Sequence, residues 1–268
     1  MPAFDLPAYL ERIAYTGPRE ATLPVLTAIH EAHSVAIPFE NLDILLGRGI
    51  DLELSALERK LVAGRRGGYC FEQNTLLRAA LEGLGFRVTS LAARVRAGAT
   101  VVRPRTHMLL RVELDGEPAS SFIADVGFGS DGPVHPLPLE EGRESWLGGF
   151  GHRLRREGDS WVLEGNALGA WGDLYAFTLE PQVPADFVMA NHFTSTFPSS
   201  PFVNSLTAQR SWPEQRLILR NRDLFERAEG KETSETVRDP EHLLAILRDR
   251  FGLAFPAGTR FARPDFSS

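Results

Sequence analysis

One thiol, Cys70, occurs in a chain of 268 residues. It stands in RRGGYCFEQN, Arg65 to Asn74, behind two glycines and an aromatic residue. Leu76, Leu77, Ala80, Leu81 and Leu84 follow as one helical stripe. That spacing predicts a helix starting at or near Cys70, with Gly85 as its stop. Unpaired N–H groups at a helix start favour an anion, and the dipole adds about half a positive charge. A thiolate is an anion, so this position suits a nucleophile; the bland alternative is a small buried hydrophobe. The glycines let a ligand approach the backbone closely, or permit φ > 0.

A thiol nucleophile needs a base and a group to orient that base. His107 opens the run HMLLRVEL, and Asp125 lies within SFIADVGF. Both runs are β-rich and flank the turn region 115–118, so they read as a hairpin. Pairing centred on residue 116 makes His107 and Asp125 direct cross-strand neighbours. Pairing centred on residue 117 makes them diagonal neighbours on one face. A two-residue Asp115-Gly116 turn puts them on opposite faces. A joint site therefore requires an odd loop, such as 115–117. Phe122, Ile123, Ala124 and Val126 surround Asp125, and an acid in such a run needs a partner. A carboxylate beside an imidazole fixes its tautomer and supports its charged form. Cys70, His107 and Asp125 together read as a catalytic unit. His30 and His33 share a helix at i, i+3 without an HExxH pattern, so no metal site is expected there. His135, His152, His192 and His242 read as surface or loop residues.

Three stretches must position these groups. Residues 1–85 read as helical. Leu23, Leu26 and Ile29 form one face behind a Thr22 N-cap, and Ser55 with Glu58 has the spacing of a capping box. Residues 86–190 read as short strands: RVTSLAARV, HMLLRVEL, SFIADVGF, WVLEG and LYAFTLE, with turn residues at Asp115-Gly116 and Gly158-Asp159. They suggest a small antiparallel barrel or sandwich. Residues 191–268 read as mixed. NHFTSTFPSSPF reads as a loop, RLILRNRDLF as strand-like, and EHLLAILRDRF as a helix with Asp239 at its N-cap, Pro240 at N1 and Gly252 past its end.

Composition narrows the classes. The chain is 43% hydrophobic and 24% charged, as folded globular proteins are. The net charge is -6, from 29 Lys+Arg against 35 Asp+Glu, which disfavours nucleic-acid binding. A single cysteine excludes an internal disulfide and a cysteine-based zinc site, and fits a reducing, cytoplasmic setting. No apolar run approaches the ~18–20 residues of a membrane span, and the N-terminus lacks a secretory signal pattern.

These residues resemble the arylamine N-acetyltransferase family. IPFENLD (Ile37 to Asp43), RRGGYCFEQN, THMLLRV (Thr106 to Val112), FIADVGFG (Phe122 to Gly129) and TSTFPSSPF (Thr194 to Phe202) stand in the family's order, almost end to end. The resemblance implies an α+β fold: a helical domain over 1–85 carrying the nucleophile, an antiparallel β-barrel domain over 86–190 carrying His and Asp, and an α/β lid domain over 191–268. The Cys-His-Asp site would lie between the first two. It implies Cys70, His107 and Asp125 as the triad, Glu40 and Arg66 as a structural ion pair, and Phe39, Thr106, Phe128 and Phe202 as substrate-binding residues. It implies a ping-pong reaction with acetyl-CoA as donor substrate, no permanently bound cofactor and no metal, and a small aromatic amine or hydrazine as acceptor. Neutral arylamines are nucleophilic at pH 7, where alkylamines are mostly protonated. Phe197 stands where many members have His, and the length matches the bacterial type. A cysteine hydrolase or transglutaminase-like enzyme is the competing reading, and a non-enzymatic CoA- or aromatic-binding module the third.

Overall fold

The computed structural model describes residues 4–115 and 120–266. The helical N-terminal part holds α1 (Leu6–Arg12), α2 (Leu23–Ala36), the two-residue strand β1 (Phe39–Glu40), α3 (Leu42–Leu45), α4 (Leu54–Leu57), a π-helical turn (Glu58–Ala63) and α5 (Cys70–Gly83). Val25, Leu26 and Ile29 of α2 are buried, as their spacing predicts. They pack with Leu57, Leu61, Phe71, Leu76, Leu77, Ala80 and Leu81 in one core. Gly85 adopts φ +86° behind α5, a conformation that suits glycine. Thr22 holds the N-cap position of α2 without a side-chain cap hydrogen bond. The capping box expected from Ser55 and Glu58 does not form: Glu53 is the N-cap of α4, and Glu58 Oε1 accepts the Asp5 N–H at 2.6 Å. A tertiary partner has outcompeted the local one.

The barrel part holds β2 (Arg87–Val95), β3 (His107–Leu114), β4 (Ser120–Ala124), β5 (Leu137–Pro138), β6 (Ser145–Leu147), β7 (Phe150–Glu157), β8 (Ser160–Asn166) and β9 (Trp171–Phe177). They form one antiparallel sheet in the order β5-β4-β3-β2-β9-β8-β7-β6. The segment after β5 returns to β7, where Gly142 N–H donates to Leu154 O at 2.8 Å, so the sheet is nearly closed. Alternation sorts its residues. Leu91, Leu109, Ile123, Leu163 and Tyr175 fill the barrel, whereas Met108, Leu110, Val112 and Ala124 join the helical core.

The last part begins with α6 (Pro184–Thr196) and α7 (Pro201–Asn204). The sequence reading of a loop from 191 to 202 is therefore corrected at 191–196 and 201–202, while 197–200 forms a turn between the two helices. Ser195 and Thr196 are the last residues of α6, and their hydroxyls donate back to the Asn191 and His192 carbonyls, at 2.8 and 2.6 Å. Then follow β10 (Thr207–Ser211), β11 (Gln215–Arg220), β12 (Asp223–Ala228), β13 (Lys231–Thr236) and α8 (Pro240–Phe251). RLILRNRDLF is two strands rather than one, turning at Asn221 with φ +53°. Helix α8 is capped by Asp239, which accepts the His242 N–H at 2.7 Å, and ends at Gly252 with φ +72°. No helix among the described residues is long and apolar enough to cross a membrane.

β1 belongs to the helical part by sequence but is the edge strand of this second sheet, β1-β10-β11-β12-β13. Its Glu40 N–H also donates to Gly68 O at 3.0 Å, two residues before Cys70. The glycines there serve the protein's own packing. A side chain at 67 would collide with the Pro38 carbonyl, and one at 68 with Glu72 at 2.7 Å. Arg66 donates Nε and Nη2 to Glu40 Oε1 at 2.9 and 2.6 Å and reaches Asp43 Oδ1 at 3.2 Å. Lys60 joins Asp43 to Glu72 at 2.9 and 2.7 Å. The Glu40 side chain is fully buried. Replacing Arg66 by Ala strands that carboxylate, at a cost of about 3–5 kcal/mol. Urea unfolding of Arg66→Ala should show that loss; a wild-type midpoint would mean the guanidinium contributes nothing to the fold.

Candidate active site

Cys70 is the first residue of α5 and is 4% exposed. Glu72 Oε2 reaches back to the Tyr69 N–H at 3.1 Å and fixes the helix start. The Cys70 thiol points at the Thr106 carbonyl, with Sγ 3.7 Å from the oxygen. His107 is the next residue and opens β3.

The β3–β4 register pairs Leu110 with Ala124, Val112 with Phe122 and Leu114 with Ser120. Pairing is thus centred on residue 117, the diagonal alternative among the registers weighed from sequence. Residues 116–119, with part of the turns expected at 115–116 and 115–117, lie outside the described residues. β4 ends at Ala124, so Asp125 stands one residue beyond the strand within which it was expected. His107 Nε2 and Asp125 Oδ2 meet at 2.7 Å, with side chains 3% and 0% exposed.

The pair's surroundings explain its electrostatics. Burial disfavours the imidazolium, but the Asp125 charge and hydrogen bond outweigh it, with a smaller contribution from Cys70, and the His107 pKa is pushed up to about 10. Burial also disfavours the Asp125 carboxylate, yet His107, the Asn74 amide and the Gly127 N–H hold it below its ordinary range. Asn74 Nδ2 donates to Asp125 Oδ1 at 3.0 Å and to Met108 O at 2.8 Å. Asn74 Oδ1 accepts the Val126 N–H at 3.2 Å. Gly127 N–H donates to Asp125 Oδ1 at 2.9 Å. A Cβ at 127 would sit 2.6 Å from Cys70 Cα, so only glycine lets this turn lie against the helix start.

Sequence reading missed three neighbours. Asn74 carried a signal, since it lies four residues after Cys70 on one helix face. Tyr175 packs on His107 with ring centroids 4.8 Å apart, and its burial behind the Asp125 charge raises its hydroxyl pKa well above the ordinary value. His30 is fully buried and accepts the Asp125 N–H at 3.0 Å. No sequence spacing connects either to the site. His152, expected on the surface or in a loop, is buried in β7 and donates its Nε2–H to the Asp131 carbonyl at 2.7 Å.

The aromatic residues fall into two groups. Phe128 meets His107 edge-on at 5.3 Å and Tyr175 at 5.2 Å. Phe39 and Phe202 contact each other at 6.0 Å, and Phe202 meets Tyr69 edge-on at 5.6 Å. Among the described residues no ring contact joins Phe128 to the other two. Asn41 fixes the α7 backbone by donating to the Phe202 and Ser205 carbonyls, both at 2.7 Å. Tyr69 donates its hydroxyl to Asn191 of α6. A cavity of about 290 Å³ lies between α6, Ala92 and residues 104–106, with Thr106 in its wall. Another, of about 340 Å³, lies against α8 and residues 259–266 and includes none of the residues named above as site candidates.

The N-acetyltransferase family model matches residues 22–259. The arylamine N-acetyltransferase of Mycobacterium tuberculosis is 40% identical over 255 residues, which is 94% of this chain and 90% of the relative. That of Escherichia coli K12 is 39% identical over 248 residues, 91% of this chain and 87% of the relative. The solved structure of the Mycobacterium marinum arylamine N-acetyltransferase in complex with CoA superposes with a TM-score of 0.88, at 38% identity and 93% of both chains. Agreement of that extent in sequence and backbone makes this chain a member of the arylamine N-acetyltransferase family and an enzyme of that class.

Proposed function

We propose that this chain moves an acetyl group from acetyl-CoA to the nitrogen of an arylamine or arylhydrazine, in two half-reactions through an acetyl-Cys70 intermediate. The observation that carries this reading is the buried His107–Asp125 contact of 2.7 Å immediately after the residue whose carbonyl faces the Cys70 thiol. The CoA complex of the Mycobacterium marinum relative supports the donor. The names of the curated relatives support the acceptor.

In the first half-reaction the Cys70 thiolate, paired with the His107 imidazolium, attacks the thioester carbonyl. The N–H groups at the start of α5 stabilise the oxyanion. The C–S bond to CoA breaks, and the departing CoA thiolate takes the His107 proton. One thioester replaces another, so the step is near balance. In the second half-reaction the neutral amine attacks acetyl-Cys70, and neutral His107 takes its proton. The cysteine thiolate leaves, restoring the starting ion pair. Asp125 holds the imidazole tautomer and supports its charge throughout.

Phe39, Phe128 and Phe202 serve the acceptor ring in this reading, and Thr106 with the 127–129 turn serves the donor. Glu40 and Arg66 hold the segment before the nucleophile. The division of labour follows the three parts of the chain: nucleophile from the helical part, base and acid from the barrel part, and cover from the part that begins with α6 at Pro184, seven residues before the boundary of 191 expected from sequence.

Incubation with acetyl-CoA alone should leave one acetyl group on Cys70, detected by intact-protein mass spectrometry and peptide mapping. An arylamine should discharge it as the N-acetyl product. Acetate release at a rate indifferent to the amine would instead identify a hydrolase, and Cys70→Ala with full transfer activity would remove the thiol from the mechanism.

The pH dependence has a definite sign. The His107 pKa is raised to about 10, so the imidazolium persists through neutral pH and the acylation rate falls only as pH passes that value. The stability linked to this raised pKa is likewise fully present below the ordinary imidazole value of ~6.5, and is lost as pH rises through about 10. Asp125→Asn removes the supporting charge, and burial then dominates. The alkaline limb should move below ~6.5 and kcat should fall about 10²–10⁴-fold. An unchanged limb in a folded Asp125→Asn protein would separate the carboxylate from the chemistry.

A further inference from the structure

We infer that His30, which contacts the Asp125 backbone, is a positioning residue: its neutral ring anchors that backbone and thereby aims the carboxylate at His107. The inference rests on the catalytic reading of Asp125 given above.

Asp125 lies just past the end of β4, so its N–H has no partner in the ladder. That N–H donates to His30 Nε2 at 3.0 Å, across 95 residues of sequence. The acceptor nitrogen must carry no proton, so the ring proton sits on Nδ1. Both residues are essentially buried, at 0% and 1% exposure. The ring comes from the middle of α2, whose neighbouring side chains Leu26 and Ile29 are fixed in the helical core. The anchor is therefore rigid.

The remaining bonds at Asp125 concern its side chain. Asn74 and the Gly127 N–H hold Oδ1, and His107 takes Oδ2. These contacts fix the carboxylate only relative to a backbone that is itself held in place. His30 holds the backbone amide, Asn74 holds the next one at Val126, and the turn closes at Gly127. Without His30 the Asp125 N–H is buried and unpaired, and the strand end relaxes to find another acceptor. A shift of the carboxylate away from Nε2 weakens its support of the imidazolium.

The charged and titratable groups around this chain of contacts are few. His30 faces Asp125, His135, His152 of β7 and, on its own helix, His33. His107 faces Asp125, Cys70 and Tyr175. Burial, reinforced by His135 and opposed by the Val134 backbone and the Asp125 charge, lowers the His30 pKa to about 4, which agrees with a ring that accepts a hydrogen bond at neutral pH.

Two substitutions and one spectrum test the inference. His30→Leu keeps the bulk and removes the acceptor; His30→Gln returns an acceptor at similar reach. Time-resolved mass spectrometry of Cys70 acetylation across pH, steady-state kinetics and thermal unfolding are measured on both. For His30→Leu, kcat should fall at least tenfold, the acceptor KM should stay within twofold, and the alkaline limb of acetylation should move at least one pH unit lower. His30→Gln should recover to within threefold of wild type. A folded His30→Leu protein with wild-type rate and limb overturns the inference. So do equal losses in both variants that track their melting temperatures, with the limb unmoved. Nitrogen-15 histidine spectra of the wild-type protein decide the matter if neither variant folds: the proton must reside on His30 Nδ1, and an Nε2–H tautomer overturns the anchor. A wild-type protein that takes no acetyl group on Cys70 would refute the proposed reaction while leaving this spectrum to judge the hydrogen bond.

Discussion

A buried imidazole beside a buried carboxylate is the constraint on which the arrangement depends. Burial alone would drive His107 neutral and Asp125 protonated. Each is held in its charged form by the other, at 2.7 Å, with the Asn74 amide and the Gly127 N–H completing the carboxylate's shell. Neither charge is stable there without its partner, so the two segments carrying them are bound to one register. A one-residue slip of β3 against β4 would turn one side chain to the helical face and leave two uncompensated buried groups.

The three parts of the molecule converge on this pair from different directions. α5 supplies Cys70 and Asn74 four residues apart, so one helix face holds both the thiol and the clamp on the acid. α2 supplies His30 beneath Asp125. The second sheet pins the loop that follows: Ser130 N–H donates to Gln209, Arg227 pairs with Asp131 at 2.6 Å, and Arg216 donates to the Gly132 carbonyl at 3.3 Å. α6 closes over the helix start through Tyr69 and Asn191, with Phe187 against Phe71 at 6.1 Å. The segment from 125 to 132 is thus tied to helices on one side and to a sheet on the other.

Sequence reading reached this site because its main signals are local. The stripe from Leu76 to Leu84 located α5, and of the hairpin registers open to the sequence, the two with an odd loop put His107 and Asp125 on one face. What stayed hidden depends on tertiary contact. His30 looked like one of two helical histidines, and only the folded chain brings it under residue 125. Tyr175 stood in a strand of alternating character with nothing to mark its ring. The Ser- and Thr-rich run after Asn191 read as a loop because those residues favour caps and turns. It is helix as far as Thr196, where the hydroxyls find the helix's own carbonyls and Tyr69 ties Asn191 to the start of α5. Ser55 and Glu58 had the right spacing for a capping box, but Glu58 found the Asp5 amide.

The glycines carry a different lesson about reading spacing. Gly67 and Gly68 suggested space for a ligand, yet the space they leave is filled by the Pro38 carbonyl and the Glu72 side chain. Neither has positive φ, so what they supply is the absence of Cβ. Gly127 does the same between the acid's turn and Cys70 Cα. The small residues around the thiol therefore let three backbone segments, 37–40, 67–70 and 125–127, lie in contact. Close packing of that kind resists relaxation, because a methyl group at 67 or 127 must displace backbone, and one at 68 must displace a Glu72 side chain already held by Lys60 and the Tyr69 N–H. In the proposed reaction this rigidity has a direct use. The imidazole loses or regains a proton and the thiolate gains or loses the acetyl group at each half-reaction while the acid keeps its charge, and a site that kept its spacing through those changes would need no reorganisation to return to the starting ion pair.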